Sequence, residues 1–142
     1  MMYFGAMALT IVASLFYHLF QKAIPAQLHP LLGMAVTYAI ACVICLVLLP
    51  FFPLGTSLRS ALGQVNWAVA GLALAVVGIE LGFLLAYRAG WAISIAALVT
   101  NVAVTMLLVP LGLALFAETL AWTQVAGIAI CLLGLLLLNF RP

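Results

Sequence analysis

The sequence predicts an all-α integral membrane protein whose five transmembrane helices form a compact bundle. Of its 142 residues, 70% are hydrophobic and only 4% are charged, whereas soluble domains carry about 25% charged residues. The apolar residues fall into five runs, each close to the roughly 20 residues that an α-helix needs to cross a bilayer. We therefore expect a single membrane domain over residues 1–142, surrounded by the lipid bilayer.

Interrupting residues place the spans in order along the chain. The first run stops at Gln21 and Lys22, Pro30 opens the second, and the sequence PFFPLG closes it. The longest connection follows and could hold a short interfacial helix. The predicted spans are residues 3–20, 31–52, 67–87, 91–116 and 120–139. Indole rings favour the membrane interface, and all three tryptophans stand near predicted span starts: Trp67, Trp91 and Trp122.

The few basic residues set the expected orientation. Lys22, Arg88 and Arg141 fall on one predicted side of the membrane and Arg59 on the other. Because Lys and Arg concentrate in cytoplasmic loops, an outside N-terminus and an inside C-terminus are weakly favoured. So small a bias also permits insertion in both orientations. We expect a multi-pass protein of the cell membrane, in a bacterium the inner membrane.

Several function classes are excluded by composition. The net charge of +2 and the lack of a basic patch interleaved with aromatic residues argue against nucleic acid as a partner. Asp is absent from the chain, so a Ser-His-Asp triad cannot form, and neither a phosphate-cradling glycine loop nor a metal-ligand cluster is present. We expect no enzyme activity, no cofactor and no metal. The three cysteines lie in apolar runs and are expected to pack as small hydrophobes: Cys42, Cys45 and Cys131.

A carboxylate, Glu80, stands inside the third predicted span. Because a charged side chain at the bilayer centre costs at least about 2.5–3.5 kcal/mol, we expect Glu80 to face a polar interior. At about 100° per residue, Tyr87 shares its face, while Gly71, Gly78 and Gly82 share the opposite face. Small residues let helix backbones approach closely, so this glycine face is the predicted helix-packing surface.

Polar stripes on the first and fourth spans could contact the Glu80 side chain. The first stripe comprises Tyr3, Thr10, Ser14, Tyr17 and Gln21. The second comprises Ser94, Ala97, Asn101, Thr105 and Gly112. Hydroxyl and amide groups of Tyr17, Asn101 and Thr105 could hydrogen-bond the carboxylate. The predicted substrate or proton pathway is lined by Glu80, Tyr17, Asn101, Thr105, Tyr87 and Ser14.

Each of these polar groups also has a structural interpretation. Glu80 is either a neutral carboxylate satisfied by a hydroxyl, or a titrating group that exchanges a proton for a cationic substrate. Asn101 either bridges helices or binds a ligand. His18 and Lys22 are expected to reach towards the membrane interface. Arg88 is interpreted as a helix-end charge that sets topology.

Two later features concern helix packing. Pro110, followed by Gly112, is expected to kink the fourth span. One face of the fifth span carries small residues with a bulkier one among them: Thr123, Gly127, Ile130 and Gly134. This face packs either within the chain or against a second subunit, and we favour a dimer interface because five helices are few for enclosing a pathway.

The C-terminal part of the sequence resembles the EamA-type half unit of the drug/metabolite transporter superfamily. The resemblance rests on an AY-x-x-G motif and on F-x-E-x-L-x-x-x-Q-x-x-G-x-x-x-x-x-x-G, which here are Ala86, Tyr87, Gly90, Phe116, Glu118, Leu120, Gln124, Gly127 and Gly134. Members of that family usually join two such units of five helices. The resemblance implies that this chain forms a homodimer, possibly antiparallel, and that Glu118 caps the start of the fifth span.

The sequence is also similar to the four-helix small multidrug resistance transporters, which pair as inverted dimers. Their essential Glu lies in the first helix, whereas the intramembrane carboxylate here lies in the third span. In the EamA family the first, third and fourth helices of each unit line the pathway, and the polar stripes lie on the same helices. The resemblance thus implies an exporter or exchanger of small organic solutes or metabolites that works by alternating access.

Three other functions remain open at this point. The protein could be a flippase subunit that moves a lipid-linked headgroup, with Lys22 and Arg88 near the headgroup. It could also be a non-transporting scaffold or accessory subunit. An ion channel is the least favoured, since no segment resembles a selectivity filter.

Overall fold

The protein is described by a computed structural model that covers residues 2–52, 55, 57–115 and 121–139, where it contains helices and no strand. The elements are α1 (Met2–Ala23), α2 (Pro30–Leu48), a 3₁₀ turn (Leu49–Phe51), α3 (Leu58–Leu62), α4 (Trp67–Arg88), α5 (Ile93–Leu115) and α6 (Trp122–Asn139). The prediction of an all-α chain is confirmed. The predicted end of the fourth span at residue 116, the predicted start of the fifth at residue 120, and the residues Glu118 and Arg141 lie outside the described residues.

Four helices are long and apolar enough to cross a membrane, over Phe4–Ala23, Pro30–Phe51, Trp67–Arg88 and Ile93–Leu115. These helices indicate a multi-pass protein embedded in a membrane. The fifth predicted span corresponds to α6, which has 18 residues and whose apolar helical stretch runs from Trp122 to Gly134. A bundle of five membrane-crossing helices stays a prediction.

Local sequence explains where the helices begin. Pro30 occupies the first turn of α2, a position where its missing N–H and fixed φ cost nothing. Asn66 precedes α4, and its Oδ1 accepts a hydrogen bond from the Ala68 N–H at 3.0 Å, which satisfies one of the unpaired donors of the first turn. Gly90 lies in the connection that follows α4 and has a φ of +97°, a conformation that L side chains rarely adopt. The short helix expected between the second and third spans is α3.

The chain divides into two compact units, residues 1–90 and 91–142. In the first unit α4 contacts both α1 and α2, and in the second unit α5 contacts α6. The helix that carries Glu80 is thus the central helix of the first unit. In the second unit α5 continues through Pro110 to Leu115, so the proline does not end the helix.

Few side chains are buried within the described part of the chain. Leu84 is 2% exposed and Tyr87 is 5% exposed on α4, while Met34 on α2 is 5% exposed and Gln21 on α1 is 8% exposed. Large apolar side chains are exposed on every long helix, as expected for surfaces that face lipid. Because lipid tails are as apolar as leucine, helix contacts in a membrane depend on close packing and hydrogen bonds. Among the described residues, the side-chain hydrogen bonds between helices join α1 to α4.

The predicted glycine faces have no neighbour within their own unit. Nothing in the described residues lies within 4 Å of the Cβ position of Gly71, Gly78 or Gly82, and the same holds for Gly127 and Gly134. Within the described part of its own unit, none of these glycines makes a close helix contact. The helix-packing role of Gly71, Gly78 and Gly82 and the dimer-interface role of Gly127 and Gly134 stay predictions.

Candidate functional site

Glu80 lies half-buried in α4, on the part of the helix that α1 and α2 cover. It precedes Arg88, at the end of α4, by eight residues, which is about 12 Å at about 1.5 Å per residue. The carboxylate is thus well inside the span. It is the one acidic side chain in the described part of the chain, because the other acidic residue of the sequence, Glu118, lies outside it.

Two tyrosines approach the Glu80 carboxylate from different helices. Tyr17 of α1 and Tyr38 of α2 lie close enough to the carboxylate to interact with it electrostatically. Both hydroxyl oxygens are buried, and neither has a hydrogen-bond partner among the described residues. Tyr38 interacts with the carboxylate, although the two groups do not reach hydrogen-bond geometry. Buried hydroxyls are normally paired, so two unpaired ones beside a carboxylate mark a place suited to an additional polar ligand or water.

An aromatic layer separates this carboxylate from the end of α4. The Phe83 ring lies edge-on to the rings of His18, at 4.8 Å between centroids, and of Tyr17, at 6.1 Å. It also stacks on the Tyr87 ring at 5.8 Å. Such edge-to-face and offset-stacked pairs are the favoured arrangements of aromatic rings. The layer fixes the position of Tyr17 relative to Glu80.

Polar contacts hold α1 against α4 around that layer. The Tyr87 hydroxyl and His18 Nδ1 are 2.9 Å apart and share a hydrogen bond. Gln21 donates from Nε2 to the backbone carbonyl of Glu80 at 2.7 Å. Lys22 donates from Nζ to the Tyr87 carbonyl at 3.1 Å, and its ammonium lies 5.5 Å from the centroid of the Tyr87 ring. These bonds place the C-terminal part of α1, with Tyr17 and Gln21, on the face of α4 that carries Glu80, whereas Thr10 and Ser14 of the predicted stripe are exposed.

The site residues predicted on these two helices have different surroundings. Tyr17 lies close to Glu80, but the hydrogen bond between them that the sequence suggests is not formed. Tyr87 is buried, and its hydroxyl is occupied by His18, which gives it a contact role between helices. Ser14 is exposed on α1. His18, expected only to reach towards the interface, is instead half-buried and bonded to Tyr87.

Asn101 and Thr105 belong to the second unit, where they line a cleft between α5 and α6. The cleft has a volume of about 510 Å³, and Thr105 donates from Oγ1 to the backbone carbonyl of Asn101 at 2.8 Å. Gln124 also lines it, and its Oε1 accepts the Ala121 N–H at 2.8 Å. The remaining lining is apolar except for a thiol: Val102, Met106, Val109, Gly127, Ile128 and Cys131.

The predicted dimer face of α6 is open within its unit. Thr123, Gly127, Ile130 and Gly134 are all exposed, with Ile130 exposed by 68%. Gly127 also borders the cleft between α5 and α6. The face is therefore available for a partner, and a dimer interface there stays a prediction.

Sequence reasoning missed Tyr38 and Phe83 as neighbours of the carboxylate. The signal for Tyr38 was present, because Thr37 and Tyr38 are isolated hydroxyl residues in the otherwise apolar α2. Thr37 bonds back to the Gly33 carbonyl at 3.0 Å, which leaves Tyr38 as the hydroxyl of α2 that reaches another helix. Phe83 has no polar group and carries no comparable signal.

Metal binding finds no support in the described residues, which contain no group of three His, Cys, Asp or Glu side chains that could hold an ion. Comparisons with protein-family models, curated proteins and solved structures return no match for this chain. The resemblance to the EamA-type half unit therefore rests on the sequence motifs alone.

Proposed function

We propose that this protein is a secondary transporter of small organic solutes, an exporter or exchanger, and that Glu80 is the centre of its site. The observation that carries the proposal is a carboxylate within a membrane-spanning helix, flanked by the buried and unpaired hydroxyls of Tyr17 and Tyr38. Ionisable groups inside the membrane are costly, and they commonly mark substrate or proton pathways. A purely structural carboxylate would be expected to have its neighbouring hydroxyls as hydrogen-bond partners.

The chemistry of the site follows from these three groups. Charged Glu80 attracts a proton or a cationic group of a solute, and the two tyrosine hydroxyls can donate to the carboxylate or bind a polar group beside it. A solute that displaces the proton from Glu80 would be coupled to proton movement in the opposite direction. That Asn101 and Thr105 belong to the pathway stays a prediction from the sequence.

The working unit is proposed to be a homodimer. The faces of α4 and α6 that carry glycines without neighbours in their own units offer surfaces for a second copy. The weak charge bias between the two sides of the membrane permits an antiparallel pair. Alternating access would then move the two subunits about a site near the bilayer midplane, in a cell membrane such as the bacterial inner membrane.

The test is solute uptake into proteoliposomes containing the protein, because a one-for-one exchange of a proton for a cationic solute moves no net charge and gives no current. Isotope-labelled small amines, amino acids, sugars and carboxylic acids are applied in turn, and saturable, protein-dependent uptake is recorded as a function of pH, with an internal pH-sensitive dye to follow protons. The Glu80→Gln variant should lose at least about tenfold in uptake rate, because it removes the charge and keeps the size of the side chain. The matched control is Glu118→Gln, which changes the other carboxylate of the chain and should transport normally.

Two results would contradict the proposal. The first is the absence of saturable uptake for every solute class, which is the behaviour of a scaffold or accessory subunit. The second is a Glu80→Gln variant that transports at the original rate with the original pH dependence.

A further inference from the structure

A second polar cavity lies at the end of the first unit where α1 and α4 both terminate. This cleft, of about 280 Å³, is lined by Gln21, Lys22, Ile24, Ala26, Leu84, Tyr87 and Arg88. Its volume is at the low end of the roughly 300–1,000 Å³ typical of ligand pockets. It therefore suits a group the size of a phosphate or small headgroup better than a complete organic solute. The transport site at Glu80 does not include it.

The cleft has a strongly positive character. Lys22 and Arg88 both line it, and no carboxylate is among its lining residues. The one acidic side chain of the described residues, Glu80, lies about 12 Å further along α4 at about 1.5 Å per residue. Two cations on neighbouring helices attract an anion.

Donor geometry adds to the charge. Arg88 donates from one Nη nitrogen to the carbonyls of Pro25 and Leu28, which anchors the guanidinium under the connection between α1 and α2. Its Nε is buried and has no hydrogen-bond partner among the described residues. A guanidinium carries five N–H donors, so donors remain after the bonds to the two carbonyls. A guanidinium that is held in place and still has unused N–H donors is well suited to hydrogen-bond phosphate oxygens.

The position of the cleft indicates where the phosphate comes from. Helices α1 and α4 are each long enough to cross a membrane, so their shared ends fall at the level of the lipid headgroups. One turn before the cleft residues Ile24 and Arg88, the side chains of Phe20 and Leu85 are exposed by 68% and 49%. These apolar side chains offer a surface for acyl chains directly beside the positive cleft.

We propose that the cleft between the ends of α1 and α4, lined by Gln21, Lys22 and Arg88, binds the phosphate of an anionic phospholipid headgroup. Basic pockets between transmembrane helices are established binding places for such headgroups. The bound lipid would bridge α1 and α4 on the same side of the aromatic layer as Lys22 and Arg88. Binding requires only that the helices lie in a membrane, so it is independent of the transport proposal.

The experiment measures lipid retention by native mass spectrometry on full-length protein in detergent micelles. Palmitoyl-oleoyl phosphatidylglycerol is compared with palmitoyl-oleoyl phosphatidylcholine, which has the same acyl chains and no net charge. Wild-type protein should retain the anionic lipid about tenfold more strongly. The Lys22→Gln variant should lose most of that preference, because one charge-assisted hydrogen bond to phosphate is removed.

Controls separate the cleft from general electrostatics and from soluble anions. Arg59→Gln removes a cation from α3, outside the cleft, and should retain the preference within about twofold. Arg88→Lys keeps the charge but loses the forked donors, so it should show an intermediate preference. If Arg88 variants fail to fold, the comparison of Lys22→Gln with Arg59→Gln decides the question. Inorganic phosphate, added in excess, should not displace the lipid.

Three results would overturn the assignment. Equal retention of the two lipids by wild-type protein would show that the cleft does not select a negative headgroup. An equal loss of preference in the Arg59→Gln and Lys22→Gln variants would show that only overall charge matters. Displacement of the lipid by excess inorganic phosphate would assign the cleft to a soluble phosphate compound.

Discussion

Removing the hydroxyl of Tyr17 should leave the fold as stable as before, or slightly more stable, while transport falls. That hydroxyl is buried and has no hydrogen-bond partner among the described residues, and a buried unsatisfied polar group costs about 1–3 kcal/mol. The Tyr17→Phe variant keeps the ring and its contact with Phe83. We therefore expect its free energy of unfolding to be unchanged or higher by about 1 kcal/mol.

The matched comparison is Tyr87→Phe, whose hydroxyl is bonded to His18 Nδ1 at 2.9 Å. This variant loses a hydrogen bond worth about 0.5–1.5 kcal/mol and leaves a partly buried ring nitrogen unpaired, which costs about 1–3 kcal/mol more. The two variants should then differ by about 2 kcal/mol or more, which is roughly a 30-fold difference in the unfolding equilibrium constant.

The assay is reversible unfolding in mixed micelles of detergent and dodecyl sulfate, followed by circular dichroism, with solute uptake into proteoliposomes measured for the same variants. A Tyr17→Phe variant that is stable but transports poorly would support a hydroxyl kept for a ligand. If Tyr17→Phe is destabilised as much as Tyr87→Phe, the Tyr17 hydroxyl has a structural partner and the reasoning is refuted.

Three further predictions concern the contacts that position the site, and each is measured in the same unfolding assay. Gln21→Leu should lower the free energy of unfolding by about 1 kcal/mol, since hydrogen bonds between membrane helices average about 0.6 and reach about 1.7 kcal/mol. An unchanged free energy would mean that the Gln21 bond to the Glu80 carbonyl does not hold α1 on α4. Gly90→Ala should lower the free energy of unfolding by about 1–2 kcal/mol because φ is +97° there. Gly71 has no atom near its Cβ position, so Gly71→Ala should leave the free energy of unfolding of the single chain unchanged. Equal losses in the two variants would contradict this. Asn66→Ala should cost about 1 kcal/mol through the lost cap of α4, and an unchanged stability would show that the cap contributes nothing.

The helices could be predicted from the sequence because hydrophobic runs and punctuating residues determine them directly. Pro30, Asn66 and Gly90 mark the ends of helices by local chemistry that needs no tertiary context. The proximity of Tyr17 to Glu80 was also predictable. Each lies on an otherwise apolar helix, and polar side chains of such helices turn away from lipid and towards one another.

The remaining contacts depend on how the helices are rotated against one another, which periodicity alone does not determine. His18 could have reached to the interface, but its bond to Tyr87 requires the relative height of α1 and α4. Arg88 was interpreted from its charge alone, whereas its bonds to the carbonyls of Pro25 and Leu28 depend on the path of the connection between α1 and α2. The same applies to Tyr38, whose proximity to Glu80 follows from the packing of α2 on α4.

The central claim is that Glu80 faces a water-accessible path, and thiol accessibility tests it most directly. The three native cysteines, all exposed, are first replaced by Ala. In that background Glu80→Cys is compared with Ile79→Cys, which lies at nearly the same depth on α4. The Ile79 side chain is 55% exposed and is expected to face lipid. The account predicts that a charged, membrane-impermeant thiol reagent modifies the cysteine at position 80 in intact membranes and spares the one at position 79. Modification of neither, or of both at the same rate, would contradict it.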